Sequence, residues 1–396
     1  MNQKIGFEAH NLEKIRGYGA GVARVLLEEI KSLINDSDLA DFRFFVFFKE
    51  KIPESQEVRQ IIRKKNFCYR VAPFPFNRSY ALYYNFWLPW QKIKLGLDLM
   101  VFPCYMLPLF YFGRSIVTIH DVVYEAYPEW IPPLYRLIYH LLSRNAGRRA
   151  TVIQTISNFS KREIIKYYHR AESNVKVIYN PISVKFYPRK DTQKIKETKR
   201  QVGLRDKYVF YLGQMFQRRH PLESILAFEK LVKRRPEMEC YQFLLVGRNL
   251  TYPRINLKKE VEKINQEIGR EAIIYLDHLL KSDDDFLANL YSGAELFVSV
   301  SDYEGFNLPP TEAMACGTPA LLANRPEVNE IQGNEQFYVD NPMDIDEFSR
   351  KMEEAIFNQE KRIRAVKSAL IQVKKFSLEN HLSDFKKMII ENVQSN

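Results

Sequence analysis

The chain has 396 residues, too many for one ordinary domain and enough for two. Because 46% of the residues are hydrophobic, with 15 glycines and 19 prolines, a collagen-like, low-complexity or largely disordered chain is excluded. Lys and Arg outnumber Asp and Glu by 59 to 48, which gives a formal net charge of +11. This excess favours an anionic partner, namely nucleic acid, an anionic membrane or a phosphate-bearing small molecule.

The first residues lead directly into a strand-like run, so the sequence shows no secretory signal. Charged residues or prolines interrupt every long apolar stretch, so no window of about 18 apolar residues exists to cross a membrane. The cysteines, Cys68, Cys104, Cys240 and Cys316, are scattered and form no Cys-x-x-Cys pair. We therefore expect a cytoplasmic chain with reduced core cysteines.

Short β-branched or aromatic runs alternate with amphipathic segments of helix length, which predicts an α/β fold of parallel sheets covered on both faces. In the first half, the predicted strands are residues 4–9, 42–48, 67–72, 97–102, 115–120, 151–155 and 175–178. The clearest predicted helices there are residues 21–33, 134–149 and 158–169, the last capped by Ser157.

The second half repeats the alternation, which indicates two Rossmann-like halves. Its predicted strands are residues 208–212, 242–246, 272–276, 295–300, 319–322 and 336–339. Residues 185–207 are rich in Lys and Arg and show little apolar periodicity, as expected for an inter-domain crossover. Residues 378–393 predict an amphipathic helix that must dock on a neighbouring surface. We therefore place a first domain at 1–184, the crossover at 185–207, a second domain at 208–375 and a helical segment at 376–396.

Ligands of open α/β sheets bind beyond the carboxyl ends of the strands, and several polar segments follow predicted strands. Residues 17–21 are glycine-rich and suit either a phosphate or a flexible lead-in to the helix. His120 ends an apolar strand and is either structural or placed at the mouth of a cleft. Arg218 and Arg219 precede a helix and fit either a diphosphate or a solvated charge pair.

The richest segment is residues 302–312. Glu304 lies in the predicted loop, Pro309 and Pro310 suit a first helical turn, and Glu312 is predicted to fall inside that turn. Two carboxylates would then converge on one helix N-terminus, where carboxylates accept hydrogen bonds from sugar hydroxyls and free N–H groups donate hydrogen bonds to phosphate oxygens. Helix stabilisation by an acidic first turn explains Glu312 but not Glu304. The pattern fits a nucleotide-sugar.

The run from Glu304 through Gly-Phe-Asn-Leu-Pro-Pro-Thr to Glu312 resembles the Glu-x7-Glu signature of retaining glycosyltransferases of family 4, which have the GT-B fold. The resemblance extends over segments 16–19, 118–121, 155–161, 177–181, 211–219 and 290–297. Residues 88–98 and 124–132 look most like the mannosyltransferase branch that builds bacterial surface polysaccharides. The resemblance implies two Rossmann-like domains that face each other across a cleft, with the C-terminal helix returning to the first domain.

The resemblance also implies a nucleotide-diphospho-sugar bound mostly by the second domain, with a glycan or lipid-linked oligosaccharide as acceptor. Glu312 would hold the ribose, and Glu304 the donor sugar. The arginines would stabilise the leaving diphosphate as catalytic groups, and His120 would contact the sugar near the reacting carbon. The remaining donor-binding residues would be Gly17, Gly19, Gly213 and the backbone amides of Phe306, Asn307 and Leu308.

The same resemblance implies retention of anomeric configuration and no metal or cofactor. The run Asp283–Asp285 imitates a metal-binding Asp-x-Asp, but it starts a predicted helix, so helix capping is favoured. This sequence departs from the family in several places: Gln214 follows Gly213 where relatives carry arginine, Arg219 stands where lysine is usual, and Asn307 replaces a common glycine. Asn is the residue best able to adopt the left-handed backbone of glycine. Ala20 and Gly21 replace a frequent Arg-Tyr pair, which leaves the acceptor contacts open.

Three alternatives stay open at this stage. A catalytically lapsed relative would act as a binding subunit of a polysaccharide-assembly complex, and a GT-B epimerase or phosphorylase is the enzymatic rival. Nucleic-acid binding is disfavoured because no recognised binding motif accompanies the basic residues. The aromatic and basic first domain, above all residues 74–90 and 105–112, suits peripheral contact with an anionic membrane, or else supplies core and sugar-stacking residues.

Overall fold

The computed structural model describes residues 3–14, 20–205, 207–279 and 283–394. The chain divides into two compact units, each with its own core. Unit 1 comprises Met1–Pro181 and Glu379–Asn396, and unit 2 comprises Ile182–Leu378.

The strands follow the predicted runs closely. In unit 1 they are β1 (Lys4–Glu8), β2 (Arg43–Phe48), β3 (Phe67–Val71), β4 (Leu99–Phe102), β5 (Ser115–Thr118), β6 (Val152–Thr155) and β7 (Val175–Val177). In unit 2 they are β8 (Lys207–Leu212), β9 (Tyr241–Val246), β10 (Ile273–Leu276), β11 (Leu296–Ser299), β12 (Ala320–Ala323) and β13 (Phe337–Val339). Each predicted strand is confirmed, with ends that differ by at most two residues.

The helices alternate with these strands. Unit 1 contains α1 (Ala20–Asn35), α2 (Gln56–Ile62), α3 (Tyr80–Leu82), α4 (Leu88–Leu95), α5 (Val123–Ala126), α6 (Pro133–Arg149) and α7 (Asn158–Tyr168). Unit 2 contains α8 (Thr192–Gln201), α9 (Pro221–Arg234), α10 (Leu257–Ile268), α11 (Asp284–Gly293), α12 (Leu308–Ala315), α13 (Pro326–Gln332), α14 (Ile345–Phe357) and α15 (Gln359–Gln372). The last helix is α16 (Leu378–Gln394).

Within the described ranges, unit 1 is built on a parallel seven-stranded sheet of order β3-β2-β1-β4-β5-β6-β7. Strand β2 shows how the sequence fills both faces. Phe44, Val46 and Phe48 join the core cluster that includes α1, α2 and α16. Phe45 and Phe47 join the cluster on the opposite face, because alternate residues of a strand point to opposite faces.

Unit 2 is built, in its described part, on a parallel six-stranded sheet of order β10-β9-β8-β11-β12-β13. Both sheets therefore have the doubly wound order of a Rossmann fold, in which the direction of winding reverses between two central strands. The reversal lies between β1 and β4 in unit 1 and between β8 and β11 in unit 2. The predicted α/β class with two Rossmann-like domains is confirmed.

Two helix starts bear out their predicted caps. The Ser157 hydroxyl accepts a hydrogen bond from the Ser160 amide at 3.0 Å, at the start of α7. The Asp283 carboxylate accepts one from the Phe286 amide at 3.0 Å, at the start of α11. Each bond satisfies an amide that has no partner within its helix.

Helix α8 lies inside residues 185–207, where no helix is predicted. Its start is capped by Asp191, whose carboxylate accepts hydrogen bonds from the amides of Gln193 and Lys194 at 3.1 Å. Thr198 is the buried residue of this otherwise polar helix. A helix with so little apolar surface shows no periodicity in the sequence, which explains why it is missed.

The predicted C-terminal helix is confirmed as α16, and it packs on unit 1. Phe385, Met388, Ile389 and Val393 are buried in the same cluster as Ile5 and the apolar face of α1. His381 is buried there too, with Nδ1 at 2.8 Å from the Tyr179 carbonyl and Nε2 at 3.0 Å from Glu29. The helix therefore completes the core of a unit whose other residues come much earlier in the chain.

Candidate active site

Two loops of unit 2 meet where the winding of its sheet reverses. The loop after β8 carries Arg218 and Arg219, and the loop after β11 carries Glu304. The Asp302 amide donates a hydrogen bond to the Arg218 carbonyl at 2.9 Å, which joins the loops through their backbones. Ligands of open α/β sheets bind at such a reversal point. The sheet thus unites side chains that are 85 residues apart in sequence.

The central contact of the site is an ion pair between Arg219 and Glu304. Arg219 Nε donates to Glu304 Oε1 at 2.6 Å, and Nη2 donates to Oε2 at 3.0 Å. The side chains are only 19% and 8% exposed. Burial raises the pKa of Glu304, but the Arg219 and Arg218 charges and the hydrogen bond outweigh it and hold the pKa below the usual value. Glu304 is therefore ionised and rigidly held.

Glycine lets the Arg219 guanidinium lie against the backbone. At Gly213, φ is 147°, and a Cβ added there would lie 2.9 Å from Arg219 Nη1. Gly247 follows the neighbouring strand β9, and a Cβ there would lie 1.8 Å from the Gly213 carbonyl oxygen. Arg219 Nη1 also donates to the Gln214 carbonyl at 3.2 Å. Any larger residue at Gly213 would push the arginine away from Glu304.

Arg218 lies on the other side of the same turn. Its Nε donates to the Tyr303 carbonyl at 3.2 Å, and its guanidinium carbon lies 4.6 Å from the centroid of the Phe216 ring. The cation is thus held between a carbonyl dipole and an aromatic face, and no carboxylate neutralises it among the contacts described. Arg218 keeps a positive charge available at the reversal point.

A buried histidine ties the two loops together. His220 Nε2 lies 2.6 Å from Asp302 Oδ2, and Asp302 Oδ1 accepts a hydrogen bond from Arg325 Nη2 at 2.8 Å. His220 Nδ1 lies 3.6 Å from Glu223 Oε2. Burial lowers the pKa of His220, but its hydrogen bond to Asp302 and the charges of Asp302 and Glu223 raise it to about 9. His220 is therefore a cation that supports the arginine loop.

The loop after β11 enters α12 through a left-handed residue. Asn307 has φ 63°, the conformation expected for a residue that replaces glycine, and its amide side chain contacts Ser299 Oγ at 3.0 Å. No side chain caps this helix start in the described part of the chain. Pro309 and Pro310 have no N–H, so the free amide at the start of α12 is that of Leu308.

The side chains of Phe306 and Glu312 both contact other residues of unit 2. Phe306 is buried, and its ring lies 5.1 Å from that of Phe376, so its side chain is a core group. Glu312 does not lie in the first turn of α12, because the helix begins at Leu308 and its first turn holds no acid. The prediction of that position is wrong: the helix already begins at Leu308, directly after the left-handed Asn307, so Glu312 falls beyond its first turn. The Glu312 carboxylate accepts a hydrogen bond from the Tyr291 hydroxyl at 2.8 Å.

Glu327 is a buried acid beside this site that the sequence did not single out. It lies in the first turn of α13 and is 4% exposed. Burial raises its pKa to about 7, aided by the charge of Glu304 and opposed by Arg325 and by backbone hydrogen bonds, including that from Glu304. The Pro-Glu pair at 326–327 is a helix-start signal, but only the packing reveals its proximity to Glu304.

In unit 1, His120 lies two residues beyond the end of β5. Its ring meets Tyr105 edge to face at 5.4 Å, and its carbonyl accepts a hydrogen bond from Ser160 Oγ at 2.9 Å. Its Nε2 is buried and has no hydrogen-bond partner among the described residues. Burial lowers the pKa of His120 to about 4, against a hydrogen bond to the Pro103 carbonyl that raises it. The imidazole is therefore neutral at physiological pH.

The remaining predicted groups fall outside this arrangement. Gly17 and Gly19 lie outside the described residues. The acidic run at 283–285 has other partners: Asp283 caps α11, Asp284 accepts from Ser183 Oγ at 2.8 Å, and Asp285 pairs with Arg189 at 2.8 Å. Among the described residues, no group of three or more His, Cys, Asp or Glu side chains is arranged to hold a metal ion.

Comparison with known families matches both units of the chain. Residues 20–186 match the family described as Glycosyltransferase Family 4, and residues 193–371 match the family described as Glycosyl transferases group 1. The chain therefore carries two glycosyltransferase domains, one matched in each unit. The resemblance drawn from the Glu-x7-Glu segment is confirmed, and so is the assignment as a glycosyltransferase.

Several curated relatives of this glycosyltransferase are named as mannosyltransferases. It is 29% identical to the Escherichia coli O-antigen chain mannosyltransferase B over 275 residues, which cover 67% of this chain and 68% of that one. It is 25% identical to the O-antigen chain mannosyltransferase RfbU of Salmonella typhimurium, over 75% of each. It is 30% identical to the E. coli serotype-specific mannosyltransferase WbdA but spans only 28% of that relative's length.

Solved structures support the fold of this glycosyltransferase. The sucrose-phosphate synthase of Thermosynechococcus elongatus matches with a TM-score of 0.71 and 16% identity, over 100% of both chains. Anabaena Alr3699/HepE, solved in complex with UDP and glucose, matches with a TM-score of 0.69 and 16% identity, over 98% of this chain and 100% of that one. The predicted GT-B fold is confirmed.

Proposed function

We propose that this glycosyltransferase moves a hexose, with mannose favoured, from a nucleotide-diphospho-sugar to a hydroxyl of a glycan or lipid-linked oligosaccharide in cell-surface polysaccharide synthesis. The observation that carries the proposal is the junction of Arg218, Arg219 and Glu304 at the reversal point of the second sheet. Cations for a diphosphate and a fixed carboxylate for sugar hydroxyls lie within one hydrogen bond of each other there. The names of the curated relatives favour mannose, with GDP-mannose as the first donor to test.

The donor would lie across this junction. Arg218 and Arg219 would bind the diphosphate, together with the free amides near the start of α12, where the helix dipole favours an anion. Glu304 would accept hydrogen bonds from the hydroxyls of the sugar. Glu312, held by Tyr291, would accept those of the ribose. Because Arg219 already neutralises Glu304, a bound diphosphate competes with the carboxylate for the same guanidinium.

The proposed reaction retains anomeric configuration and needs no metal. As the bond from the sugar to the diphosphate breaks, negative charge grows on the leaving oxygen, and the two arginines stabilise it electrostatically. The acceptor hydroxyl would attack from the face that the diphosphate leaves. His120, kept neutral by burial, would offer an uncharged ring to the sugar rather than a competing cation. No cofactor takes part.

We also propose that the enzyme works in the cytoplasm, on an acceptor at the inner face of the membrane. No helix in the described ranges is both long enough and apolar enough to cross a bilayer. A lipid-linked acceptor would therefore require the enzyme to approach the surface from one side. Unit 1, which carries His120 and most of the exposed aromatic residues, is the proposed acceptor-binding unit.

The test is protection against thermal unfolding by GDP-, UDP-, ADP- and TDP-sugars in the presence of EDTA. A donor at about 100 times its Kd stabilises the folded state by about 2.7 kcal/mol, so the midpoint should rise by several degrees. Only one nucleotide series should give this rise. The same donor is then incubated with an acceptor glycan, and the anomeric configuration of the product is determined by NMR.

Two arginine variants make the assignment specific. Arg219→Ala should lose the donor-induced rise. Arg362→Ala should keep it, because Arg362 forms a comparable ion pair with Glu295 at 3.1 Å, beside the amino end of β11. Loss of the rise in EDTA and its return with Mg²⁺ would contradict the metal-free proposal. Donor binding without transfer to any acceptor would favour the lapsed binding subunit, and an epimerised donor would favour the epimerase.

A further inference from the structure

Helix α6 of unit 1 exposes its large apolar side chains and buries small residues. Its large apolar residues Leu134, Leu137, Ile138 and Leu141 are 43–67% exposed, although their spacing places them on one face, as for a helix that packs on a core. The buried residues of α6 are small: Ser143, Ala146 and Gly147.

Close packing against α7 explains this arrangement. A Cβ at Gly147 would lie 2.3 Å from the ring of Tyr168, so the two helices approach where only glycine fits. The inner face of α6 is therefore small near its end, whereas Tyr139 and His140 pack inward nearer its start, against Tyr124 at 4.1 Å and Glu125 at 2.8 Å. The apolar stripe of α6 faces solvent, and exposed apolar patches of this kind mark surfaces that bind a partner or a membrane.

Two other segments of unit 1 also carry exposed apolar side chains. Phe86, Trp90 and Ile93 on and before α4 are 52%, 49% and 75% exposed, and Phe110 and Phe112 are 52% and 76% exposed. The rings of Phe86 and Phe110 lie 5.1 Å apart.

Hydrogen bonds join the three segments into one surface. Arg149, at the end of α6, donates to the Leu109 and Tyr111 carbonyls at 2.8 Å, and the Leu109 amide donates to Asn85 at 2.9 Å. We call the surface formed by residues 86–94, 109–112 and 134–149 the apolar–basic face.

This face carries cations and no acids of its own. None of the three stretches contains Asp or Glu, whereas they contain Lys92, Lys94, Arg136, Arg144, Arg148 and Arg149. Lys94 Nζ lies 4.6 Å from the Trp90 ring, and the Arg149 guanidinium lies 4.8 Å from the Phe112 ring. The carboxylate that contacts α6, that of Glu125, is bonded to His140 at 2.8 Å.

We propose that the apolar–basic face docks on an anionic lipid membrane. Leucine, isoleucine and aromatic side chains would enter the boundary between headgroups and acyl chains, while the long Lys and Arg side chains reach back to anionic headgroups. Indole and phenol rings favour this interface, and each basic residue near an anionic leaflet adds to the attraction.

The charge pattern selects a membrane over a second copy of the chain. In a twofold dimer the same face meets itself, so its cations would oppose cations with no acid on either side to pair with them. A lipid surface offers anions that can move to each cation, and it also takes up the apolar stripe. The face belongs to unit 1, and its role does not depend on the donor residues of unit 2.

Sedimentation with vesicles tests the proposal. The purified protein should sediment with phosphatidylcholine vesicles that contain phosphatidylglycerol, and only weakly with phosphatidylcholine alone or at high salt. Ile93→Glu or Leu137→Glu should weaken vesicle binding at least about tenfold, because each puts a charge where an aliphatic side chain would enter the membrane. Arg136→Gln and Arg148→Gln should each weaken it about fivefold. Both kinds of residue are exposed, so the variants should fold normally.

Matched control variants lie on α15 of unit 2. Ile363 is 69% exposed, close to Ile93, so Ile363→Glu and Arg364→Gln should leave vesicle binding unchanged. Failure of the wild-type protein to bind anionic vesicles would overturn the proposal, as would equal binding to neutral vesicles or an equal loss with Ile363→Glu. If Leu137→Glu instead converted a dimer to a monomer in sedimentation velocity, the face would be a contact between copies. Donor protection of the same variants reports separately on the proposed function.

Discussion

The two units have the same sheet order but very different chemistry at the carboxyl ends of their strands. In unit 2 this edge is a set of fixed charges, with Arg219 bonded to Glu304 and His220 bonded to Asp302. In unit 1 it is mostly aromatic, with His120 against Tyr105 and its Nε2 unpaired among the described residues, and the buried Glu8 at the end of β1 is bonded to Tyr83. A charged, invariant ligand such as a diphosphate calls for the first kind of edge, and a neutral glycan suits the second.

The largest expected effect follows from removing the cation of the central ion pair. Arg219→Ala should lower transfer about 10²–10³-fold, because the leaving diphosphate loses a fixed charge. It should also lower the free energy of unfolding by about 3–5 kcal/mol, because it leaves the buried Glu304 carboxylate without its ion-pair partner. Transfer is measured by product formation, and stability by urea denaturation.

A second substitution separates the two effects. Adding Glu304→Gln to Arg219→Ala removes the unpaired buried charge, so much of the lost stability should return while transfer stays low. If the double variant were less stable than Arg219→Ala alone, the ion pair would not account for the loss.

His120→Ala should give the opposite pattern in unit 1. Transfer should fall about 10²-fold through loss of the proposed contact with the donor sugar, while the free energy of unfolding should fall by only about 1–2 kcal/mol, through loss of the hydrogen bond to the Pro103 carbonyl. The substitution leaves no buried charge unpaired, because the imidazole is neutral and its Nε2 has no described partner. Because the His120 pKa is about 4, this residue does not titrate near pH 6.5. The pH profile of transfer should therefore have the same shape between pH 6 and pH 7 in the variant as in the wild-type protein. A large fall in stability would contradict the comparison.

The His220 cation should make unit 2 sensitive to alkaline pH. Its pKa of about 9 in the folded state exceeds the value of 6.5 expected when unfolded, so its contribution is complete below pH 6.5 and disappears as pH rises through 9. The free energy of unfolding should fall by up to about 3 kcal/mol across that window. His220→Gln should flatten the curve obtained by urea denaturation at successive pH values.

Glu327 contributes in a different window. Its raised pKa costs stability as pH rises from 4.5 through about 7, so the His220 effect is best measured above pH 7. An unchanged slope above pH 7 in His220→Gln would assign the alkaline loss to another group.

The smallest expected effect concerns the backbone at Asn307. Asn307→Ala should lower the free energy of unfolding by about 1–2 kcal/mol more than Asn307→Gly does, because alanine strains the left-handed conformation at φ 63°. Both variants lose the Ser299 contact, so their difference isolates the backbone. Equal denaturation midpoints for the two would show that the loop relaxes.

Local features of the sequence predicted the strands and the helix caps well. β-branched and aromatic runs located each strand, and the Ser157 and Asp283 caps follow from one side chain and one amide a few residues away. The strand ends also led to His120 and Arg219, because in parallel sheets the carboxyl ends share one edge.

Long-range packing explains what the sequence missed. The Arg219–Glu304 pair depends on β8 lying beside β11, which strand order along the chain does not reveal. The burial of Glu327 depends on the same neighbouring loop. The outward face of α6 depends on the inward packing of Gly147 against Tyr168 and of Tyr139 against Tyr124, although the spacing of its leucines alone would suggest a core.

The position of α16 has a consequence for how the protein is made. Residues 182–378 form unit 2 without interruption, so everything that this unit needs is synthesised before α16 is complete. Unit 1, which begins first, must wait for Phe385 and Ile389 to fill its core. Until then its apolar groove is open to chaperones and to other nascent chains. The earlier unit in sequence is therefore the later one to finish folding.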